Sequence, residues 1–251
     1  MTTVLITGAT SGIGEEFAKR YAALGYRLIL VARRVERMEA LAKTLSVETR
    51  IIKADLSDEL QCKKLVEDVS KEDIDIFINN AGFGTCGLFT ETDLDKEISM
   101  IHVNDIAMHI LFKGILKQMV KRDRGHILNV CSSAGLLAAG PYMATYYASK
   151  AYMVSLSRAV RQELKEMGSK VVVSALCPGP VDTEFNDNAD VIFALKGISA
   201  AQCVDEALKG MNRKKLIIVP AFIMKCAMIF QRLLPMNILV AMTSHQQKKK
   251  M

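Results

Sequence analysis

A chain of 251 residues, half of them hydrophobic and about a quarter charged, with 15 glycines and 5 prolines, has enough apolar surface for a sizeable core. That composition excludes collagen-like, low-complexity and wholly disordered architectures. Its 33 lysines and arginines against 27 acidic residues leave a charge of +6, a mild excess that suits anionic ligands without pointing to nucleic acid: the positive residues are dispersed, no helix-like stretch is arginine-rich, and tryptophan is absent.

Short apolar runs at 4–6, 27–31, 50–54, 74–78, 126–131, 171–177 and 216–219 read as strands buried on both faces. Between them, 12–24, 35–46, 58–71, 93–121, 143–168 and 200–211 carry apolar residues at three- and four-residue spacing, the mark of helices with one buried face. Strand and helix in alternation predict an α/β fold: one doubly wound, Rossmann-type domain with a mostly parallel seven-stranded sheet over residues 1–220. Residues 221–251 are expected to be an extension of that domain, an amphipathic helix broken at Pro235 and a tail ending in Lys248, Lys249 and Lys250.

The cysteines, Cys62, Cys86, Cys131, Cys177, Cys203 and Cys226, form no C-x-x-C pair, and the four histidines show no ligand spacing. No metal site is expected. Reduced thiols, and an N-terminus without a basic leader region, point to a cytoplasmic protein.

The first strand runs straight into Gly8, Ala9, Thr10, Ser11, Gly12, Ile13 and Gly14 and then into a helix. A glycine-rich turn in that context lets backbone N–H groups at a helix N-terminus meet a pyrophosphate, so the turn predicts dinucleotide binding. The second strand ends in Arg33 and Arg34, with no carboxylate to hold a ribose 2′-hydroxyl. Two guanidinium groups suit a 2′-phosphate, and NADP(H) is expected over NAD(H). After the third strand, Asp55, with Leu56 beside it, either reaches an adenine amino group or caps the next helix.

Tyr146 and Lys150 lie four apart on an expected helix, and so on one face. A cation beside a phenol favours its ionised form and is expected to lower its pKa toward the range useful for acid–base catalysis. Together with Asn79, Asn80, Ala81 and Gly82 at the end of the fourth strand, Ser133 thirteen residues before Tyr146, Asn104, and Pro178 with Gly179 after the sixth strand, these residues make the chain resemble the short-chain dehydrogenases/reductases, in the form bearing TGxxxGxG, NNAG, a serine and YxxxK. The resemblance spans residues 4 to about 185.

It implies an oxidoreductase in which Tyr146 exchanges a proton with a carbonyl or alcohol as hydride passes to or from the nicotinamide. Lys150 would tune Tyr146 and hold the nicotinamide ribose, Ser133 would orient the carbonyl, and Asn104 would hold a relay water. Val181 and Thr183 are the implied contacts of the carboxamide. Spacing selects Ser133 over Ser132 and Tyr146 over Tyr147. The resemblance also implies a homodimer or homotetramer paired through the helices at 93–121 and 143–168.

Residues 184–199, with Phe185, Val191, Ile192, Phe193 and Leu195, fall where the family places its substrate lid, and Leu136, Leu137 and Met143 precede Tyr146. These make a hydrophobic ketone, aldehyde or alcohol the expected substrate, although the same residues also suit ordinary core. Within residues 221–242, Phe222, Cys226, Ile229, Phe230 and Leu233 form one helical stripe. Its expected place is against the domain or a partner subunit, with membrane-surface contact as the less favoured alternative. Two other functions compete with the enzyme: a catalytically silent NADP(H)-sensing protein and a membrane-surface scaffold.

Overall fold

Val4, Leu5 and Ile6 are fully buried, as are Leu28, Ile29, Leu30 and Val31 on the neighbouring strand; only a strand covered on both faces tolerates such a run. The computed structural model describes residues 1–184 and 197–248. Seven strands, β1 (Thr3–Thr7), β2 (Arg27–Ala32), β3 (Thr49–Lys53), β4 (Ile74–Asn79), β5 (His126–Val130), β6 (Val172–Leu176) and β9 (Ile217–Ile218), form a parallel sheet in the order β3-β2-β1-β4-β5-β6-β9. A two-residue ladder pairs β7 (Val181–Asp182) with β8 (Ile198–Ser199).

The period of two along each strand separates two cores. Leu5, Ile29 and Phe77 pack on one side with Phe112, Ile115 and Met153. Val4, Ile6, Leu28 and Ile78 pack on the other with Phe17, Met38 and Val204. The first side belongs to α3 (Glu59–Asp68), α5 (Met108–Lys121) and α6 (Ala144–Glu166), the second to α1 (Gly12–Ala23), α2 (Val35–Thr44) and α7 (Ala200–Asn212). The chain leaves β1 toward β2 on one side and returns to β4 on the other, and this reversal opens a crevice at the carboxyl ends of the strands.

Two expected helices are interrupted. The stretch 93–121 divides into α4 (Leu94–Ile101), a π-helical turn (His102–Ala107) and α5. The C-terminal stretch forms α8 (Phe222–Phe230), a 3₁₀ turn (Gln231–Leu233) and α9 (Met236–Lys248), with Pro235 at the break.

Polar groups inside the sheet are paired across elements. The Asn79 amide donates to Asn129 Oδ1 at 3.1 Å and to the Met108 carbonyl at 3.0 Å, and the Asn129 amide donates to Ser157 Oγ at 2.9 Å. His126 Nε2 lies 2.9 Å from Ser174 Oγ, whose proton goes to the Lys215 carbonyl at 2.6 Å, so the ring is the donor and its Nε2 carries hydrogen. Burial, with Arg161 and Lys214 nearby, pushes His126 down to about 4.

Unfolding then takes up a proton, and His126 makes stability fall as the pH drops from its ordinary 6.5 toward 4. Asp105, raised to about 6 by burial, acts in the opposite sense below that pH. A His126→Asn variant keeps Asp105 and removes the histidine, so its thermal midpoint should fall less than that of the parent between about pH 7 and 5. Equal losses in both proteins would show that His126 does not set the acid sensitivity.

Candidate active site

Two glycines shape the turn after β1. Gly12 has φ +55°, a left-handed conformation costly for any residue with a side chain. A Cβ on Gly14 would lie 2.2 Å from the Gly8 carbonyl oxygen, so only glycine lets α1 approach β1 this closely. Across the crevice, Thr7 Oγ1 accepts from the N–H groups of Asn80 and Ala81 at 2.9 and 3.1 Å, and the Asn80 amide donates to the Thr7 and Gly8 carbonyls at 2.9 and 3.2 Å. The turn and the loop after β4 are thereby locked together.

A cavity of about 580 Å³ lies over these strand ends. Its lining includes Gly8, Thr10, Ser11, Gly12, Ile13, Arg33, Arg34, Asp55, Leu56, Asn80, Ala81, Gly82, Ser133, Tyr146, Lys150, Pro178, Gly179, Val181 and Thr183. Gly14 and Asn104 are expected site residues that do not line it. Gly14 packs beneath the turn. Asn104 is fully buried with its side chain spent on structure: Oδ1 accepts from the Phe83 N–H at 3.1 Å, and Nδ2 donates to the Phe83 carbonyl at 2.9 Å and to Ser149 Oγ at 3.1 Å. The Asn104 side chain thereby pins the loop after β4.

Asp55 does not cap the following helix. Asp58 does, accepting from the Leu60 and Gln61 N–H groups, while Asp55 Oδ1 accepts from Ser57 N–H at 3.0 Å and Ser57 Oγ at 2.8 Å. Asp55 is held by that Asx turn with its side chain at the cavity wall. At the same end, Arg34 donates to Thr10 Oγ1 at 3.1 Å and to Glu184 at 3.3 Å, and Arg37 donates to Glu184 at 2.8 Å. An anion is thus already seated between two guanidinium groups. Arg37, one turn into α2, was not among the expected residues.

Lys150 lies beside Tyr146 as the four-residue spacing predicts, its Nζ 5.8 Å from the ring centroid and 3.4 Å from the Val130 carbonyl. The pKa expectation is corrected. Burial pushes the Tyr146 hydroxyl well above its ordinary value, with only a hydrogen bond from Ser132 acting against the rise, and burial also holds the Lys150 ammonium below its own. For each group the loss of hydration on burial is the largest cause of its shift.

The serine choice is corrected as well. Ser132, not Ser133, meets Tyr146. Ser132, two residues beyond β5, is extended (φ −165°, ψ 159°), while Ser133 enters a 3₁₀ turn (Ser133–Leu136) and donates its N–H to the Pro178 carbonyl at 2.7 Å. Both serines line the cavity, and the bend between them leaves Ser132 as the one hydrogen-bonded to Tyr146. The Tyr147 ring meets Tyr146 edge-on, centroids 6.3 Å apart, and its hydroxyl accepts a short hydrogen bond from the amide of Gln247 on α9.

The substrate side is walled by Phe83, Leu137, Met143, Tyr147, Met224 and Gln247. Met224 and Gln247 come from the C-terminal segment, which sequence patterning did not connect to the site. Leu136 does not line the cavity; its carbonyl accepts from the Gln231 side chain at 3.0 Å. The expected lid residues Phe185, Val191, Ile192, Phe193 and Leu195 lie outside the described residues. Among the described residues no group of three His, Cys, Asp or Glu side chains is placed to hold a metal ion.

These residues fit a dinucleotide: a turn that admits a pyrophosphate to the α1 N-terminus, a carboxylate-binding arginine pair at one end, and Tyr146 with Lys150 at the other. The short chain dehydrogenase family profile matches residues 2–191. The chain is 31% identical to rat (Rattus norvegicus) 17-beta-hydroxysteroid dehydrogenase 13 over 97% of its own length and 83% of that protein's. It superposes on a short-chain dehydrogenase from Sphingobium yanoikuyae in complex with NADPH with a TM-score of 0.81 and 33% identity, covering 88% of this chain and 89% of that one. A bulky-bulky ketone specific alcohol dehydrogenase from Comamonas testosteroni superposes with a TM-score of 0.78 and 30% identity, covering 93% and 92% of the two chains. The chain belongs to the short-chain dehydrogenase/reductase family of oxidoreductases.

Proposed function

We propose that this protein is an NADP(H)-dependent reductase of apolar ketones or aldehydes, able to oxidise the corresponding alcohols. The observation that carries this reading is the convergence in one cavity of Tyr146, Ser132 and Lys150 with Arg33 and Arg34, the latter joined by Arg37 on the anion held at the cavity's edge. Bound nicotinamide dinucleotide supplies or accepts the hydride.

The chain's own residues do the rest. Ser132 holds the substrate carbonyl oxygen against Tyr146 and orients it. Tyr146, kept protonated by burial, is an acid ready to give its proton to that oxygen as charge develops there. Lys150 stands beside the ring, where its charge stabilises the phenolate that remains after proton transfer. Asn104 acts through the loop it pins: its Oδ1 and the Lys150 Nζ lie 2.9 and 3.1 Å from where a Cβ on Gly82 would sit, so Gly82 leaves room for both. Val181 and Thr183 bound the nicotinamide end and Asp55 with Leu56 the adenine end. Arg34 and Arg37 pair with a 2′-phosphate in place of Glu184, with Arg33 beside them. The wall of Phe83, Leu137, Met143 and Met224 selects an apolar body around the carbonyl.

If two copies pair as the resemblance implies, the surface this reading assigns to them is the groove bordered by Ile106 of the π-helical turn, His109 and Ile110 of α5, and Ala148 and Tyr152 of α6.

Tyr146→Phe should lower turnover of a ketone by about 10²- to 10⁴-fold while leaving NADPH affinity within about twofold. An unchanged rate would show that Tyr146 is not the proton donor, and a parent that binds NADPH without turning over any ketone would return the protein to the class of silent nucleotide sensors. Ser132→Ala should cost about 10²-fold in kcat/KM and Ser133→Ala only a few-fold; the reverse order would restore Ser133 as the carbonyl-binding serine. Replacing Arg34 and Arg37 by alanine should weaken NADPH binding about 10- to 100-fold and leave NADH binding nearly unchanged, as read by quenching or enhancement of cofactor fluorescence. Equal losses for both cofactors would mean that the pair does not read a 2′-phosphate. Because the raised Tyr146 pKa favours the phenol, ketone reduction should stay level between about pH 6 and 9 while alcohol oxidation, which needs the phenolate, climbs with pH. Oxidation that is flat over this range would show that Tyr146 is not the group that titrates.

A further inference from the structure

The stripe expected to be covered in the C-terminal segment is largely exposed among the described residues. Phe222, Ile223 and Leu233 are each more than three-quarters exposed, and Ile229, Phe230 and Met236 are more than half exposed. Nine of the eighteen exposed large hydrophobics among the described residues fall within residues 222–242. The segment is nonetheless firmly seated on its other side. Met228 is buried, Gln231 donates to the Leu136 carbonyl, Lys225 pairs with Glu206 at 2.7 Å, and Thr243 and Gln247 are buried on α9. An outward apolar face on an anchored helix pair is a surface held in place for a partner.

Charge indicates which partner. Residues 221–251 contain five lysines and arginines and no acidic residue, with Lys225 already paired to Glu206, whereas residues 1–220 carry a net charge of only +1. In a two-fold pairing of copies through this segment, the same basic stretch would meet itself, a like-charge contact with no acidic residue of its own to offset it. An anionic bilayer accepts both features, taking the apolar side chains at the headgroup boundary and the basic residues at its negative surface. The helices have nine and thirteen residues, and among the described residues none is long and apolar enough to cross a membrane.

We propose that α8, the following 3₁₀ turn and α9 dock the protein peripherally on an anionic membrane surface. The same segment borders the active-site cavity through Met224 and Gln247, so docking sets the substrate side of that cavity beside the bilayer. Uptake of an apolar carbonyl compound from the bilayer rests on the reductase reading; docking does not.

The test is co-sedimentation of the full chain with phosphatidylcholine vesicles, with and without about one-third phosphatidylglycerol, at low and high salt. The parent is compared with a variant carrying Phe222→Ser, Ile223→Ser, Phe230→Ser and Leu233→Ser. Expected are binding to the anionic vesicles and not to neutral ones, a reduction of about tenfold or more at high salt, and a similar loss in the variant with its circular dichroism and thermal midpoint unchanged. Absence of binding to anionic vesicles, or binding that the four substitutions leave intact, overturns the proposal. A variant that becomes monomeric from an oligomeric parent, with no vesicle binding by either, assigns the face to a second copy instead. A variant that fails to fold transfers the decision to the parent's lipid and salt dependence. None of these readouts depends on turnover or on the cofactor, so failure of the reductase reading is seen separately.

Discussion

The site depends first on a buried chain of amides and hydroxyls that fixes the first side of the sheet. Asn79 on β4 bonds to Asn129 on β5 and to the start of α5, and Asn129 bonds to Ser157 on α6. Each of these side chains is at most 1% exposed, so each would be costly to leave unpaired. Ser157 lies two turns after Lys150 on the same helix. Tying Ser157 to β5 therefore sets the rotation and height of α6 over the strand that delivers Ser132, and Tyr146 meets Ser132 because of it. Asn104 does the equivalent for the other side, joining the loop after β4 to Ser149, which in turn donates to the Tyr146 carbonyl at 2.8 Å. The π-helical turn that carries Asn104 is the irregularity that brings this residue inward between two regular helices.

The same burial decides the protonation of the site. A phenol and an ammonium placed together in water-excluded surroundings do not simply stabilise each other's charge, because both lose hydration. Tyr146 rises and Lys150 falls, which leaves a neutral acid next to a weakened cation. Such a pair is poised to give up a proton when negative charge develops on a nearby oxygen, and it is poorly suited to hold a permanent phenolate. The elementary argument from spacing alone, that a neighbouring cation lowers the phenol's pKa, omits the desolvation term, which here is the larger.

What the sequence made legible divides along the same line. Short apolar runs identified all seven strands of the main sheet, most clearly β1 and β2, whose burial on both faces leaves little polar alternation to misread, and least at the half-exposed edge strand β3. The turn at Gly8 to Gly14 and the pairing of Tyr146 with Lys150 were legible because each is local: a strand followed by a helix, or four residues on one helical face. The failures sit where a single backbone bend decides. Ser132 and Ser133 are distinguished only by the change from extended backbone to 3₁₀ turn between them, and Asp55 and Asp58 compete for one helix start that either could cap by type. Arg37 was hidden because the signal examined was the strand end, whereas a side chain one helical turn further reaches the same anion.

The substrate half is harder to read for a structural reason. The cofactor half is built from consecutive pieces of chain around one strand reversal, so its chemistry is written in short motifs. The substrate half draws Phe83 from the loop after β4, Met143 and Tyr147 from the start of α6, and Met224 and Gln247 from a segment up to 164 residues further along the chain. No short pattern records that meeting. Gln247 is buried because Tyr147 offers its hydroxyl, and Tyr147 is positioned by the same helix that positions Tyr146. The C-terminal segment is therefore held to the catalytic helix on its inner side while its outer side stays apolar and open. Membrane docking, as proposed, and substrate enclosure become two uses of one anchored element, whose inner side reaches the catalytic helix through Gln247 and Tyr147.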